Sequence, residues 1–94
     1  MNVMVRMSKL EPAYSIIRKF DPSGRGKVSP GATTLAKRLG LSRSWVIKWT
    51  LPSAQGGTGG YVPPRYYDDI LNFADEKDIE LDPKEFVVRP EVAA

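Results

Sequence analysis

Apolar side chains recur three and four residues apart in several stretches of this 94-residue chain, which is the spacing of amphipathic helices. In the first stretch, 8–20, Ser8 is placed to cap a helix, and Glu11 three residues later would complete a capping box. Pro12 falls in the first turn or just after it, where its missing N–H costs little. The stripe of this helix consists of Leu10, Ala13, Ile16, Ile17 and Phe20.

Two further helices are predicted in the middle of the chain. After a basic, exposed loop at 21–28, Ser29 is expected to cap a helix that Gly40 ends in a left-handed turn. Ser42 is expected to cap the next helix. That helix must end near Thr50, because Pro52 and the glycines after it cannot continue a helix.

The C-terminal half predicts a fourth helix and a final helical turn. A Pro-Pro pair leads into the fourth helix, whose stripe contains Tyr66 or Tyr67, Ile70, Leu71, Phe73 and Ala74. Asp82 is expected to cap a turn that packs Phe86 onto the core. The predicted fold class is all-α, with four to five short helices around one core in a single domain, 1–94.

The two ends of the chain carry weaker patterns. Val3 and Val5 alternate with other residues in a way that suits a possible short N-terminal edge strand. Residues 1–7 and 89–94 are expected to be flexible. The true start is open among Met1, Met4 and Met7.

Composition excludes several kinds of chemistry. The chain has no cysteine, which excludes disulfides and thiolate metal sites, and no histidine, which excludes the commonest general base and zinc ligand. No apolar run approaches the ~20 residues that a membrane span needs, so a cytoplasmic location is expected. We therefore expect neither a metal site nor a cofactor.

Charge is divided unevenly along the chain. Residues 1–50 hold ten basic and two acidic side chains, whereas residues 51–94 hold four basic and nine acidic ones, for a net charge of +3. A cationic N-terminal half is the pattern expected of a protein that contacts phosphates, and it is also compatible with a merely solvated basic face.

The stretch 32–51, ATTLAKRLGLSRSWVIKWTL, meets the requirements of a tight helix-turn-helix. Such a unit needs a small residue where the helices cross, a glycine in the turn, and apolar residues that fix the crossing angle. Seven positions in register fulfil these requirements: Leu35, Ala36, Leu39, Gly40, Leu41, Val46 and Trp49.

The same residues resemble the helix-turn-helix of phage Cro and repressor proteins and of small Cro-like bacterial regulators. LAKRLGLSRSWVIKW has their pattern of Leu-Ala, then Gly-Leu-Ser, then Val and Trp, and GGTGGYVPPRYYDDIL is similar to the segment that follows in such proteins. The resemblance covers roughly residues 13–86. One departure is DPSGRGKVS, which is longer than the usual link between the first two helices.

The resemblance implies a sequence-specific binder of double-stranded DNA, a small transcriptional regulator of repressor type from a phage or mobile element. The second helix of the pair would lie in the major groove, where Arg43 and Ser44 face bases and Lys48 faces bases or a phosphate. Ile47, on the outward side of the same helix, is a further candidate for base contact. The side chains implied to contact the DNA backbone are Ser42, Thr33 and Lys37. One such helix reads too few base pairs for useful specificity, so a homodimer is expected, with 61–67 and 86–88 as candidate interfaces.

Several side chains near the motif keep alternative interpretations. Trp49 is expected in the core, whereas Trp45 either completes the core or stands at the DNA surface. Ile47 contacts a thymine methyl, contacts a second protomer, or is simply exposed. Arg38 is expected to be solvated. A solvated face is also expected for the acidic run Asp68, Asp69, Asp75, Glu76 and Asp78.

The stretch QGGTGGYVPP at 55–64 does not fit the phosphate loop of a nucleotide enzyme, because it neither follows a strand nor ends in Gly-Lys-Ser/Thr. It is either a plain connector or a loop along the DNA backbone, with contacts from Gln55, Thr58 and glycine N–H groups. We expect no catalysis. The alternative function class is a protein-interaction module, such as an antitoxin or phage adaptor. A Mg²⁺-dependent nuclease that uses the carboxylates is a further rival, which the absence of histidine and cysteine disfavours.

Overall fold

A computed structural model describes residues 10–87, which form four α-helices and no strand. The helices are α1 (Ala13–Arg18), α2 (Val28–Leu39), α3 (Arg43–Ile47) and α4 (Tyr67–Glu76). Short 3-10 turns follow at Lys48–Thr50, Ser53–Gln55, Pro64–Tyr66 and Pro83–Phe86. The all-α prediction is confirmed for this part of the chain. None of its helices has the length and apolar surface needed to cross a membrane.

Helix α1 begins later than the sequence predicts. Pro12 is its N-cap residue and provides no side-chain cap, so the capping box expected of Ser8 and Glu11 is not what starts this helix. The Glu11 carboxylate instead accepts hydrogen bonds from the Ser15 N–H at 3.1 Å and the Ser15 hydroxyl at 2.8 Å. It therefore satisfies a first-turn donor from the preceding turn. Ser8, the possible edge strand at 1–7 and the tail at 89–94 lie outside the described residues.

The predicted start of α2 is wrong by two residues. Lys27 is the N-cap residue, without a side-chain cap, and Ser29 lies inside the first turn. The start is fixed by the preceding loop, because the Asp21 carboxylate accepts the Lys27 N–H at 2.8 Å. The predicted end is confirmed: Gly40 has φ +74° and ψ +29°, the left-handed conformation that glycine adopts without steric cost.

Two other predicted caps are confirmed. The Ser42 hydroxyl accepts the Trp45 N–H at 3.1 Å at the start of α3, and the following 3-10 turn ends at Thr50 as expected. At the last turn, Asp82 accepts the Lys84 N–H at 2.9 Å, while Glu85 accepts the Asp82 N–H at 3.0 Å.

One apolar core joins all four helices. Its buried side chains are Ala13, Ile16, Ile17, Phe20, Ala32, Leu35, Ala36, Val46, Trp49, Val62, Ile70, Phe73, Ala74 and Phe86. Stacked aromatic pairs connect distant segments, with ring centroids 5.3 Å apart for Phe20 and Phe73 and 4.2 Å apart for Tyr67 and Phe86. Such pairs contribute roughly 0.5–1.5 kcal/mol beyond the burial of their area.

Arg38 is not simply solvated, which corrects the expectation from sequence. Its guanidinium donates to both carboxylate oxygens of Glu76, at 2.6 and 2.9 Å, and lies over the Phe73 ring at 5.0 Å. The hydrogen bonds lower the pKa of Glu76 and raise the pKa of Arg38. This pair connects α2 to α4. Asp68, Asp69, Asp75 and Asp78 are exposed, as predicted.

Candidate nucleic-acid interface

Helices α2 and α3 pack closely against each other across the short turn at 40–42. The positions predicted to lock the pair behave as expected: Leu35 and Ala36 of α2 are buried, as are Val46 of α3 and Trp49, which is only 1 % exposed. Leu39 and Leu41 are partly buried and pack against the same core. Because the inner face of the pair is fixed in this way, the outer face of α3 has a defined orientation.

The four side chains predicted to face bases share one surface. Arg43, Ser44 and Lys48 are exposed and Ile47 is half-buried. Together with Ser29 and Leu51 they line a shallow depression of about 400 Å³. We call these six residues the α3 surface. It combines two cations, two hydroxyls and two apolar side chains.

Ser29 belongs to the α3 surface although sequence reasoning gave it a different role. Its hydroxyl accepts a hydrogen bond from Nη1 of Arg43 at 3.1 Å. The contact joins residues 14 positions apart on two helices, and it depends on the crossing geometry of α2 and α3. No local sequence signal contains that geometry, so the pairing could not have been found from the pattern alone.

The structure separates the two interpretations of Trp45. This side chain is 50 % exposed and lies outside the depression, so it does not complete the core. The Lys48 ammonium lies 5.6 Å from the centroid of its ring, a cation–π distance. Trp45 is thus an exposed side chain of α3 that does not belong to the six residues of the α3 surface.

The residues predicted to contact the DNA backbone have different surroundings. Lys37 and Gln55 are exposed. The hydroxyl of Thr33, also exposed, donates to the Ser29 carbonyl at 3.1 Å, and that of Ser42 caps α3. The Thr58 hydroxyl lies 2.6 Å from the Tyr61 carbonyl and 3.1 Å from the Trp49 carbonyl. Its one proton therefore stays within the protein.

The stretch 55–64, here called the glycine loop, folds back on the 3-10 turn that follows α3. The Thr58 N–H donates to the Lys48 carbonyl at 3.1 Å, and the Gly59 N–H donates to the Leu51 carbonyl at 2.8 Å. The Gly56 and Gly57 N–H groups also donate within the segment, to the carbonyls of residues 53 and 52. These glycine N–H groups are directed inward, so the suggestion that they contact phosphates is wrong for Gly56, Gly57 and Gly59. The backbone of the loop therefore has a shape fixed by its own hydrogen bonds.

The segments suggested as dimer interfaces are only partly exposed. Tyr61 is 51 % exposed and Val87 is 63 % exposed, whereas Tyr66 and Tyr67 are half-buried and Phe86 is buried. Val88 lies outside the described residues. Among the described residues of the two segments, the exposed large apolar side chains are Tyr61 and Val87.

The sequence from the basic loop before α2 to the start of α4 carries charge of one sign. Residues 22–67 contain seven basic side chains and no acidic one. Within residues 10–87, no group of three acidic side chains lies close enough to hold a metal ion. The arrangement is suited to binding an anionic surface and to donating hydrogen bonds.

Comparison of the chain with protein-family models, with curated proteins and with solved structures gave no significant match.

Proposed function

We propose that the protein binds double-stranded DNA in a sequence-specific manner, with α2 and α3 as a helix-turn-helix of the Cro and repressor type. In this proposal α3 is the recognition helix and enters the major groove. The observation that carries the proposal is the α3 surface, where Arg43, Ser44, Ile47 and Lys48 stand together at a helix capped by Ser42. The protein would act as a small transcriptional regulator of phage or mobile-element type, as a homodimer.

Four side chains of the α3 surface have distinct chemical roles in this proposal. The guanidinium of Arg43 matches O6 and N7 of guanine, and a good bidentate pair discriminates by roughly 1–3 kcal/mol. The Ser29 hydroxyl accepts a hydrogen bond from the guanidinium of Arg43, which restricts the Arg43 side chain before DNA binds. Ile47 offers apolar contact to a thymine methyl, and Lys48 contacts a base or a phosphate.

Helix α2 would contact the phosphate backbone. Lys37 is exposed and supplies a cation, and Thr33 is exposed one turn earlier. Contacts of this kind fix the register of the protein on the duplex without reading its sequence. Arg38, in contrast, is held by Glu76, so it is not assigned to DNA.

Selection of bound sites from random duplexes tests the proposal, followed by affinity measurements on the selected site and on a random duplex. Arg43→Ala should weaken binding to the selected site and leave binding to the random duplex almost unchanged. Lys37→Ala, which removes one positive charge in the same way, should weaken both alike. Absence of binding to any duplex at 50 mM salt would overturn the proposal, and equal effects of both variants would overturn the assignment of α3 to the groove.

A protein-binding scaffold, as in an antitoxin or phage adaptor, is the second candidate. The observation that favours it is the pair of half-exposed aromatic rings, Trp45 on α3 and Tyr61 in the following loop. Aromatic side chains of this kind are enriched at the centres of protein interfaces. Binding to duplexes whose affinity falls steeply between 50 and 200 mM salt, as counterion release requires, would favour DNA.

A further inference from the structure

We propose that the loop at 21–27, here called the basic loop, is a second DNA contact in which Arg25 and Lys27 bind backbone phosphates beside the α3 surface. This inference rests on the proposed DNA binding and adds a contact that the recognition helix does not supply. The observations that carry it are the construction of the loop, its charge, and its position relative to Arg43.

The basic loop has a fixed shape because one buried carboxylate organises it. Asp21 is only 6 % exposed. It accepts hydrogen bonds from the Lys27 N–H at 2.8 Å and from the N–H and hydroxyl of Ser23, both at 2.9 Å. Arg18 of α1 additionally donates to the Gly26 carbonyl. The backbone of the loop is thus tied at several points, although the loop lies on the surface.

Positive charge dominates the outside of the basic loop. Arg25 and Lys27 are both exposed, and among residues 10–87 neither side chain has a carboxylate within ion-pair distance. The loop's one acidic residue is Asp21, whose oxygens accept hydrogen bonds from the loop itself. Two cations are therefore presented to solvent without an ion-pair partner among the described residues, which is complementary to a row of phosphates.

The basic loop leads directly to the α3 surface. Lys27 stands two residues before Ser29, so their Cα atoms are at most roughly 7 Å apart. The Ser29 hydroxyl in turn contacts Arg43, which is proposed to read bases. Phosphates border both edges of the major groove, and protein groups that flank a recognition helix commonly bind them. Arg25 and Lys27 are positioned for that role.

The salt dependence of duplex binding tests the inference. Each phosphate contact contributes about 0.9 to the slope of log K against log salt. Arg25→Ala/Lys27→Ala should make this slope about 1.8 less steep, so that the affinity lost between 50 and 200 mM salt becomes about tenfold smaller. The conservative exchange Arg25→Lys/Lys27→Arg should keep the wild-type slope, because a phosphate requires only the charge.

The matched control is Lys77→Ala/Lys84→Ala. It removes the same charge from two exposed positions in the acidic half of the chain, and it should leave the slope unchanged. Equal shifts in both double variants would mean that net charge alone is responsible and would overturn the inference. If the wild type binds duplexes and Arg43→Ala relaxes specificity while the basic-loop variant keeps its slope, only the basic-loop contact fails. If the wild type binds no duplex, the proposed function itself fails.

A proximity measurement tests the same contact without removing both charges. The chain has no cysteine, so Arg25→Cys introduces a single attachment point for an iron-EDTA cleavage reagent. Strand cleavage next to the selected site is expected from this position, and none is expected from Lys84→Cys. Equal cleavage patterns from both positions, or none from position 25 while binding persists, would overturn the inference.

Discussion

At the scale of single residues, Ser29 connects α2 to Arg43 of α3 through a side-chain hydrogen bond. Its hydroxyl accepts from Arg43 across the helix pair, at a place where a shorter side chain would leave the guanidinium free to rotate. Restricting a flexible side chain before binding lowers the entropy lost on binding, so in the proposed DNA complex Ser29 would act as a positioning residue for Arg43.

Ser29→Ala should therefore reduce discrimination between the selected site and random DNA, by less than Arg43→Ala does. The expected loss is about threefold to tenfold in the ratio of the two affinities, corresponding to one hydrogen bond of about 1 kcal/mol. Ser53→Ala, an exposed serine in another segment, provides the control. A discrimination ratio equal to that of the wild type would show that Arg43 needs no partner.

Asp21 makes the stability of the fold depend on pH in the acid range. The Lys27 N–H and then the Ser23 N–H are the main causes that lower the pKa of Asp21 below its ordinary value. Because the folded-state pKa is lower than the unfolded one, ionised Asp21 stabilises the fold. This contribution is complete above the ordinary value of about 3.9 and is lost as pH falls through the lower folded-state pKa.

Asp21→Asn should lower the free energy of unfolding at pH 7, and the difference from the wild type should shrink as pH falls below about 4. Urea unfolding at a series of pH values from 7 to 2 measures both quantities. A difference that stays constant over that range, or grows toward acid, would contradict this assignment of the carboxylate.

At the scale of elements, local chemistry and tertiary contacts determine different boundaries. The starts of α3 and of the last turn were predicted correctly because Ser42 and Asp82 bond N–H groups two or three residues away. The start of α2 was not, because Asp21 binds the Lys27 N–H from six residues earlier. Sequence patterns contain the first kind of contact and lack the second.

The candidate site shows the same division. The grouping of Arg43, Ser44, Ile47 and Lys48 follows from helical periodicity once α3 is placed, so it was predictable. The ion pair of Arg38 with Glu76 spans 38 positions, and the return of the glycine loop depends on carbonyls at the end of α3. Neither contact has a periodic signature, so each needed the tertiary structure.

The glycine loop supplies a prediction that separates close packing from backbone conformation. A Cβ at Gly57 would overlap the carbonyl oxygens of Leu51 and Lys48, the same groups that accept from Gly59 and Thr58. A Cβ at Gly56 would meet open space, and the only cost there is its left-handed backbone with φ +82°. The two substitutions thus add the same methyl group, but each destabilises the fold for a different reason.

Gly56→Ala should lower the free energy of unfolding by about 1 kcal/mol, the cost of a left-handed alanine. Gly57→Ala should lower it by more, about 2–3 kcal/mol, because overpacking must displace the loop from α3. Urea unfolding of both variants measures the difference. Equal losses would indicate that the loop moves away from α3 at little cost.

At the scale of the whole molecule, the charged residues are divided into a basic and an acidic part of the sequence. The stretch 22–67 contributes only cations, and the acidic residues of α4 follow at once. One cation, Arg38, is paired with that acidic side through Glu76, which leaves Lys37, Arg43 and Lys48 exposed near the proposed groove face. An anionic duplex is therefore expected to approach α2 and α3 and to avoid α4.

The size of the recognition element determines the last prediction. Residues 43–50, α3 with its 3-10 extension, span about 12 Å, or about three to four base pairs. A regulator needs a longer site, which a two-fold homodimer provides with half-sites about 34–36 Å apart, centre to centre.

Selected sites should therefore be inverted repeats that bind two protomers, and sedimentation measures how many protomers are bound. Inserting five base pairs between the half-sites turns one to the opposite side of the duplex and should reduce affinity to that of a single half-site. A selected site without symmetry, occupied by one protomer and insensitive to the insertion, would overturn the dimer proposal and leave the α3 surface as a monomeric reader.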